Sequence, residues 1–237
     1  MLEKILEKIS GPIAAAFSYQ AEDAAVLGLL SELAPNLRDR IETFTLDTGK
    51  FFPETEEYHG QVQDFFGLTI RKYQAGAADL RELEQTLGEE TAVRKSLENR
   101  RLCCKVRKVI PLSSALRGKS AWITGLRSAQ SVTRANLQPL EWDETNGLIK
   151  INPLADWSDS DLEAYLNERK IPVHPLYRRG FKSIGCRPCT RAVEPGEDLR
   201  AGRWWWENPD CKECGLHRAR QREAGKLKRD PGVLRVL

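Results

Sequence analysis

Apolar stretches of strand length alternate with segments of helical period from Pro12 to about Glu168, and this alternation narrows the fold more than any other feature of the chain. Pro12-Ile13-Ala14-Ala15-Ala16-Phe17 is a short apolar run, and apolar residues recur at helical spacing over 21–33. Ile41-Glu42-Thr43-Phe44-Thr45-Leu46 reads as a strand, 53–66 as a helix with proline near its start, and 68–73 as a third strand. Residues 104–116 are helical, 120–124 a fourth strand and 148–151 a fifth, after which Ser158-Asp159-Ser160-Asp161 caps a helix running to about Glu168. Such a pattern predicts an α/β fold, a mostly parallel sheet covered by helices on both faces. Ligands of such sheets bind beyond the carboxyl ends of the strands. The polar loops 18–23, 47–50 and 125–134 each follow a strand, so all three are expected to line one crevice.

Beyond about residue 171 the periodicity stops, and Pro, Gly, Arg, Trp and Cys dominate. This last third reads as irregular structure held by something other than an ordinary core. The 237 residues suit one α/β domain, 1–195, with an appended tail, 196–237. With 41% hydrophobic and 30% charged residues the chain is of globular type, which excludes disorder, collagen and low complexity. No apolar run approaches the roughly 18 residues of a membrane helix. Met1-Leu2-Glu3-Lys4-Ile5-Leu6-Glu7-Lys8 reads as the start of an amphipathic helix, without the apolar centre of a secretory signal. Net charge is +3, so there is no global basic field for nucleic acid. The expected setting is the cytoplasm, with neither membrane nor nucleic acid as a partner.

Six cysteines, Cys103, Cys104, Cys186, Cys189, Cys211 and Cys214, favour metal or redox chemistry in a reducing compartment over a disulfide framework. Cys186-Arg187-Pro188-Cys189 is a C-x-x-C knuckle, whose two thiolates can bind one centre. Its partners are either Cys211 and Cys214, at slightly longer than zinc-ribbon spacing, or the adjacent pair Cys103 and Cys104, giving four thiolates suited to an iron–sulfur cluster. Neighbouring side chains on a regular helix diverge by about 100°. An adjacent pair serving one centre must therefore stand at a helix start or a distortion; otherwise both are small buried hydrophobes. Cys214 lies near Lys212, Arg218 and Arg220, and cations favour the nucleophilic thiolate, although a metal ligand or a free surface thiol fits as well. His217 would share a helical face with Cys214, whereas His59 and His174 read as surface or packing residues. Trp204-Trp205-Trp206 reads chiefly as packing between tail and core, with Arg200 and Arg203 placed to stack on aromatic faces.

Seven motifs, in order, carry a resemblance. They are Ser18-x-x-Ala21-Glu22-Asp23, Leu46-Asp47-Thr48-Gly49, Cys103-Cys104-x-x-Arg107-Lys108, Gly125-Leu126-Arg127-x-x-Gln130-Ser131, Gly185-Cys186-x-Pro188-Cys189-Thr190-Arg191, Arg200-x-Gly202-Arg203-Trp204-Trp205-Trp206 and Glu213-Cys214-Gly215-Leu216-His217. Together, over residues 12–220, they closely resemble the assimilatory adenylyl-sulfate/phosphoadenylyl-sulfate reductase family. The resemblance implies an adenine-nucleotide-hydrolase-like (Rossmann-like) sheet with an irregular C-terminal catalytic tail. It also implies a [4Fe–4S] cluster on Cys103, Cys104, Cys186 and Cys189, as in the cluster-bearing branch.

By the same resemblance Cys214 attacks the sulfur of adenylyl sulfate, releasing AMP and leaving an S-sulfocysteine. Reduced thioredoxin or a similar dithiol then frees sulfite. Lys108, Arg200 and Arg203 match residues that grip the phosphosulfate, and Arg pairs well with such oxyanions. Ser18 and Glu22 lie in the loop that receives the nucleotide end at a helix N-terminus. Asp47, Thr48 and Gly49 line the nucleotide pocket, Arg127 and Arg134 lie near the adenosine or its phosphates, and His217 tunes the thiolate or contacts phosphate. Gln20 stands where many members carry glycine, Ser128 where a second arginine often follows the first, and Cys211 matches no functional position. The cluster is expected to act electrostatically, positioning Lys108 beside the sulfate, because Cys214 and the dithiol already supply two electrons.

A homo-oligomer that reduces adenylyl sulfate is thus expected, with phosphoadenylyl-sulfate or dual specificity as the alternative within the family. Outside it stand a zinc-ribbon module on an inactive nucleotide-binding domain, and a sulfurtransferase or ATP pyrophosphatase of the same fold. The absence of an S-G-G-x-D-S loop argues against the last.

Overall fold

A computed structural model of the chain describes residues 1–130, 134, 136–208, 212 and 216. Six strands, β1 (Ile13–Ala16), β2 (Ile41–Leu46), β3 (Arg71–Tyr73), β4 (Ala121–Ile123), β5 (Leu140–Asp143) and β6 (Leu148–Ile151), form one sheet in the order β3-β2-β1-β4-β6-β5. Ile13 stands opposite Ile41 on one side and Ala121 on the other, both in parallel register. Only β5 is antiparallel, with Trp142 opposite Ile149. Among the described residues the helices are α1 (Leu2–Lys8), α2 (Ala21–Ser31), α3 (Pro35–Arg38), α4 (Pro53–Phe66), α5 (Ala77–Leu87), α6 (Leu97–Cys104), α7 (Ile110–Ala115) and α8 (Asp159–Glu168).

Side chains alternate across a strand, and this sorts the core into two layers. Ile13, Ala15, Ile123 and Ile151 pack with Leu6 of α1, Leu27 of α2, Val62 of α4 and Leu162 of α8. Ala14, Phe44 and Trp122 face the other way, onto Leu112 and Ala115 of α7. The sheet is therefore mostly parallel and clad on both faces, as the alternation predicts. Ser158 caps α8 reciprocally with Asp161, a capping box legible in the sequence.

Several boundaries differ from expectation for local reasons. The strand expected over 68–73 pairs only from Arg71. Gly67 ends α4 in the left-handed conformation (φ 61°), and the Leu68 and Ile70 N–H groups are spent on the Gln63 carbonyl and side chain. Helix α5, the first residues of α6, and β5 were not expected. β5 turns into β6 at Asn146-Gly147, a hairpin signal present in the sequence. The helix expected over 104–116 is broken by a π-helical turn, Lys105–Val109, in which Ile110 N–H donates to the Lys105 carbonyl five residues back. Pro111 accounts for it: proline has no N–H for the Arg107 carbonyl, and its ring would press on that group.

Beyond α8 the described chain has only short 3₁₀ turns and one isolated antiparallel bridge, between Thr190 and Arg203. Fully buried His174 fastens the start of this region. Its Nδ1 accepts from Leu176 N–H (3.2 Å), and its Nε2 faces Thr55 Oγ1 (2.9 Å). The proton of the neutral ring therefore sits on Nε2. Burial pulls its pKa from 6.5 down to about 4. An unfolded chain takes up this proton first, so the contribution to stability is complete above about pH 6.5 and is lost as pH falls toward 4. Thermal midpoints measured across this window should fall more steeply for the parent protein than for His174→Gln, which has no titrating ring.

Candidate active site

Beyond the carboxyl ends of β1, β2 and β4 lies a crevice of about 200 Å³, bordered by Ser18, Thr48, Gly125 and Arg134 from all three strand-following loops. Lys108, Arg200 and Arg203 also border it. Ser18 donates through both its N–H and its hydroxyl to Asp23 Oδ2, each at 2.6 Å, so Asp23 folds the β1 loop back onto α2. Asp23 is buried, and desolvation raises its pKa to about 6 against the lowering pull of the Ser18 hydrogen bonds. Glu22 borders the crevice but accepts from Arg127 Nη2 at 2.9 Å.

Three of the expected pocket residues do not line the crevice. The Arg127 guanidinium is buried against Glu22, Asp159 (2.6 Å) and the Trp157 carbonyl, so its charge is spent inside the protein. The Asp47 carboxylate accepts from Gly49 N–H (2.9 Å) and Gln74 Nε2 (2.6 Å), shaping the turn from behind, and Gly49 takes the turn's left-handed position. Arg134 does border the crevice and is hydrogen-bonded to Gln130.

A second cavity of about 300 Å³ adjoins the first and is bordered by Cys103, Cys104, Cys186 and Cys189. The adjacent pair ends α6, directly before the π-helical turn. Lys108, Cys186 and Trp204 border both cavities and form the wall between them. Arg107, to which no role had been given, donates to the Thr48 carbonyl (2.8 Å), while Cys186 Sγ contacts Thr48 Oγ1 (3.3 Å). Burial pushes the Cys189 thiol up to about 12, helped by neighbouring Cys186. Burial also acts on Cys186, but the Lys108 charge, with Thr48, Arg203 and Arg107, outweighs it and holds that thiol below its ordinary value.

The chain around 204–207 packs onto the cluster of thiols. Arg100 forms a bidentate, buried pair with Glu207 (2.8 and 2.7 Å), and the guanidinium groups of Arg100 and Arg203 both stack on the Trp204 ring (4.8 and 4.7 Å). Arg94 stacks on Trp205 and Trp206. Farther on, Arg200 Nη2 donates to the Lys212 carbonyl (3.0 Å), and Leu216 borders the crevice against the Phe44–Trp122 layer. Cys211, Cys214 and His217 lie outside the described residues. Among the described residues no helix is long and apolar enough to cross a membrane.

Residues 12–192 match the family model described as the phosphoadenosine phosphosulfate reductase domain. The chain is 48% identical over 203 residues to a protein of Allochromatium vinosum named adenosine 5'-phosphosulfate reductase, covering 86% of this chain and 77% of that one. A protein of the same name from Burkholderia cepacia is 47% identical over 205 residues, covering 85% and 79%. This chain belongs to the phosphoadenosine phosphosulfate reductase family. Membership places it among oxidoreductases acting on a sulfur group. Among solved structures, the phosphoadenylyl-sulfate reductase of Candida auris in its phosphate complex superposes with a TM-score of 0.63 at 26% identity, over 78% of this chain and 84% of that one. An FMN adenylyltransferase of Candida glabrata (TM-score 0.51, 14% identity, 97% of this chain and 74% of that one) shares the fold.

Two substitutions probe how this family member holds its site. A Cβ at Gly125 would stand 2.4 Å from Asp23 Oδ1 and 3.0 Å from the Asp23 backbone nitrogen, so α2 itself would have to move. Gly125→Ala should cost about 1–3 kcal/mol in denaturant unfolding. Glu207→Ala leaves a buried guanidinium without its carboxylate and should cost about 3–5 kcal/mol by the same measurement.

Proposed function

We propose that the chain reduces adenylyl sulfate to sulfite and AMP, with a [4Fe–4S] cluster held by Cys103, Cys104, Cys186 and Cys189. The carrying observation is the shared wall: Lys108 and Cys186 border both the strand-end crevice and the four-thiol cavity. The donor set suits a sulfur-rich cluster, because four cysteines outside any disulfide border one space. The Nε1–H of buried Trp204, on the same wall, and that of Trp206, packed beside it, have no acceptor among the described residues. No three His, Cys, Asp or Glu side chains among those residues are placed to hold a single metal ion. When bound, the cluster supplies a fixed charge and a scaffold that holds the π-helical turn, and with it Lys108, in place.

Acidic and cationic groups both border the crevice. The first turn of α2 carries Glu22 and Asp23, and Ala21 N–H is engaged by Tyr177 Oη (3.0 Å). That helix start repels an anion, so the uncharged adenosine end lies there and the phosphosulfate lies by Lys108, Arg200 and Arg203. The Cys214 thiolate attacks the sulfate sulfur, the bond from sulfur to the bridging phosphate oxygen breaks, and AMP leaves with the electron pair. A thiolate of reduced thioredoxin, or a similar dithiol, then attacks Cys214 Sγ and displaces sulfite. The second thiol of the donor releases Cys214 as the donor closes its own disulfide, completing a two-electron reduction. The cations offset the repulsion between attacking and attacked anions. Free thiols suit a reducing, cytoplasmic setting.

Protein purified without oxygen should be brown, with about four irons per chain. A colourless protein with one zinc would overturn the cluster and tie up thiols that the mechanism needs. Lys108→Ala should keep its iron and lose about a hundredfold in kcat/KM for adenylyl sulfate. Unchanged turnover in that variant would remove the role of the shared wall.

A further inference from the structure

Among the described residues a direct side-chain link joins the nucleotide loop to the segment that leads into the cysteine knuckle. Gln20, the residue before α2, reaches across the crevice floor to Ile184, two residues before Cys186. Gln20 Nε2 donates to the Ile184 carbonyl at 2.6 Å, and Ile184 N–H donates to Gln20 Oε1 at 3.1 Å. The side-chain amide thus copies a strand pairing between segments 164 residues apart in sequence. Ile184 is buried at 3% exposure, so losing Gln20 would leave its N–H unpaired and out of reach of water. Its carbonyl also accepts from Arg203 Nη1 at 2.9 Å, which joins the same peptide to the cationic wall.

The other end of the link is equally fixed. Tyr19, beside Gln20, holds a positive φ of 66°, a conformation costly for a tyrosine. Its ring packs edge-on against Phe17 and Phe51 (centroids 5.0 and 5.1 Å), and its hydroxyl meets His59 Nδ1 at 3.2 Å. With Ser18 clamped to Asp23 on one side and Ala21 held by Tyr177 on the other, the Gln20 backbone has little freedom. Movement of this loop is therefore passed on through the Gln20 amide.

We infer that Gln20 is a positioning residue, a strut through which a nucleotide bound against the 18–23 loop sets the Cys186–Cys189 knuckle and the Arg203 guanidinium. The inference rests on the proposed nucleotide reading of the crevice. Filling the loop end of the crevice presses on one end of the strut, and the peptide before Cys186 is its other end. The thiol cavity and the sulfate-gripping wall are then ordered when nucleotide arrives.

Hydrogen exchange with and without AMP tests this on the purified full chain. In the parent protein AMP should slow exchange about fivefold or more in both 18–24 and 183–190. In Gln20→Ala, protection should persist in 18–24, showing a folded protein that binds AMP, and disappear from 183–190. Gln20→Glu keeps the size and the acceptor for Ile184 N–H but sets an oxygen against the Ile184 carbonyl, and should behave like the alanine variant. With adenylyl sulfate, both variants should lose about tenfold in kcat while KM shifts less than about threefold. AMP protection reaching 183–190 undiminished in both variants would overturn the strut and leave the nucleotide reading intact. Absence of AMP protection from both segments of the parent protein would overturn the nucleotide reading, and the strut with it.

Discussion

Burying thiols beside one another opposes their ionisation, and the rest of the site is arranged around that opposition. Desolvation raises Cys103 and Cys189, and each is raised further by Cys186 nearby. Cys186 goes the other way because three cations reach it from two sides: Lys108 and Arg107 from the π-helical turn, and Arg203 from the returning chain. Low dielectric magnifies both effects. The cations in turn need anchorage that does not neutralise them. Arg107 gets it only in part, from the Thr48 carbonyl, because its Nη2 also pairs with the exposed Glu84 carboxylate (3.2 Å), whereas Arg203 is held by the Ile184 carbonyl and the face of Trp204. Carbonyls and aromatic rings hold a guanidinium in place while leaving its charge available.

The π-helical turn makes this geometry possible. An added residue in one turn swings everything after it by about 100° relative to what came before. Cys103 and Cys104 lie before the turn, Arg107 and Lys108 within it, and all four border the thiol cavity. Pro111 sits one residue into the helix that follows, so the irregularity is written into the sequence rather than imposed from outside. The same proline signal explains why a single helix over 104–116 was too simple a reading.

What the sequence made legible was local or patterned. Strand and helix alternation put the 18–23, 47–50 and 125–134 loops beyond the carboxyl ends of their strands, and a helical distortion begins directly after the adjacent cysteines. Sequence reasoning missed pairings between distant residues. Arg100 and Glu207 are 107 residues apart, Gln20 and Ile184 are 164 apart, and neither pair has a local signature. It also misjudged Arg127, because an arginine in a loop after a strand looks the same whether its partner is a ligand or Glu22. Helix α5 was overlooked although Leu80, Leu83 and Leu87 recur at helical spacing; its polar remainder, exposed in the fold, hid the stripe.

Glycine in the β1 loop would let the backbone approach a ligand closely, and Gln20 gives that up. What it gains is a side chain long enough to cross the crevice floor. A loop that binds by backbone amides alone holds its ligand without informing its neighbours. A loop whose own side chain completes the hydrogen bonding of another segment cannot move independently of that segment. Here the second segment carries a knuckle cysteine and borders a charged wall, so geometry set at the α2 start is felt at the thiols. The acidic first turn of α2 fits this division: its carboxylates disfavour an anion there, whereas Lys108, Arg200 and Arg203, bordering the same crevice, favour one.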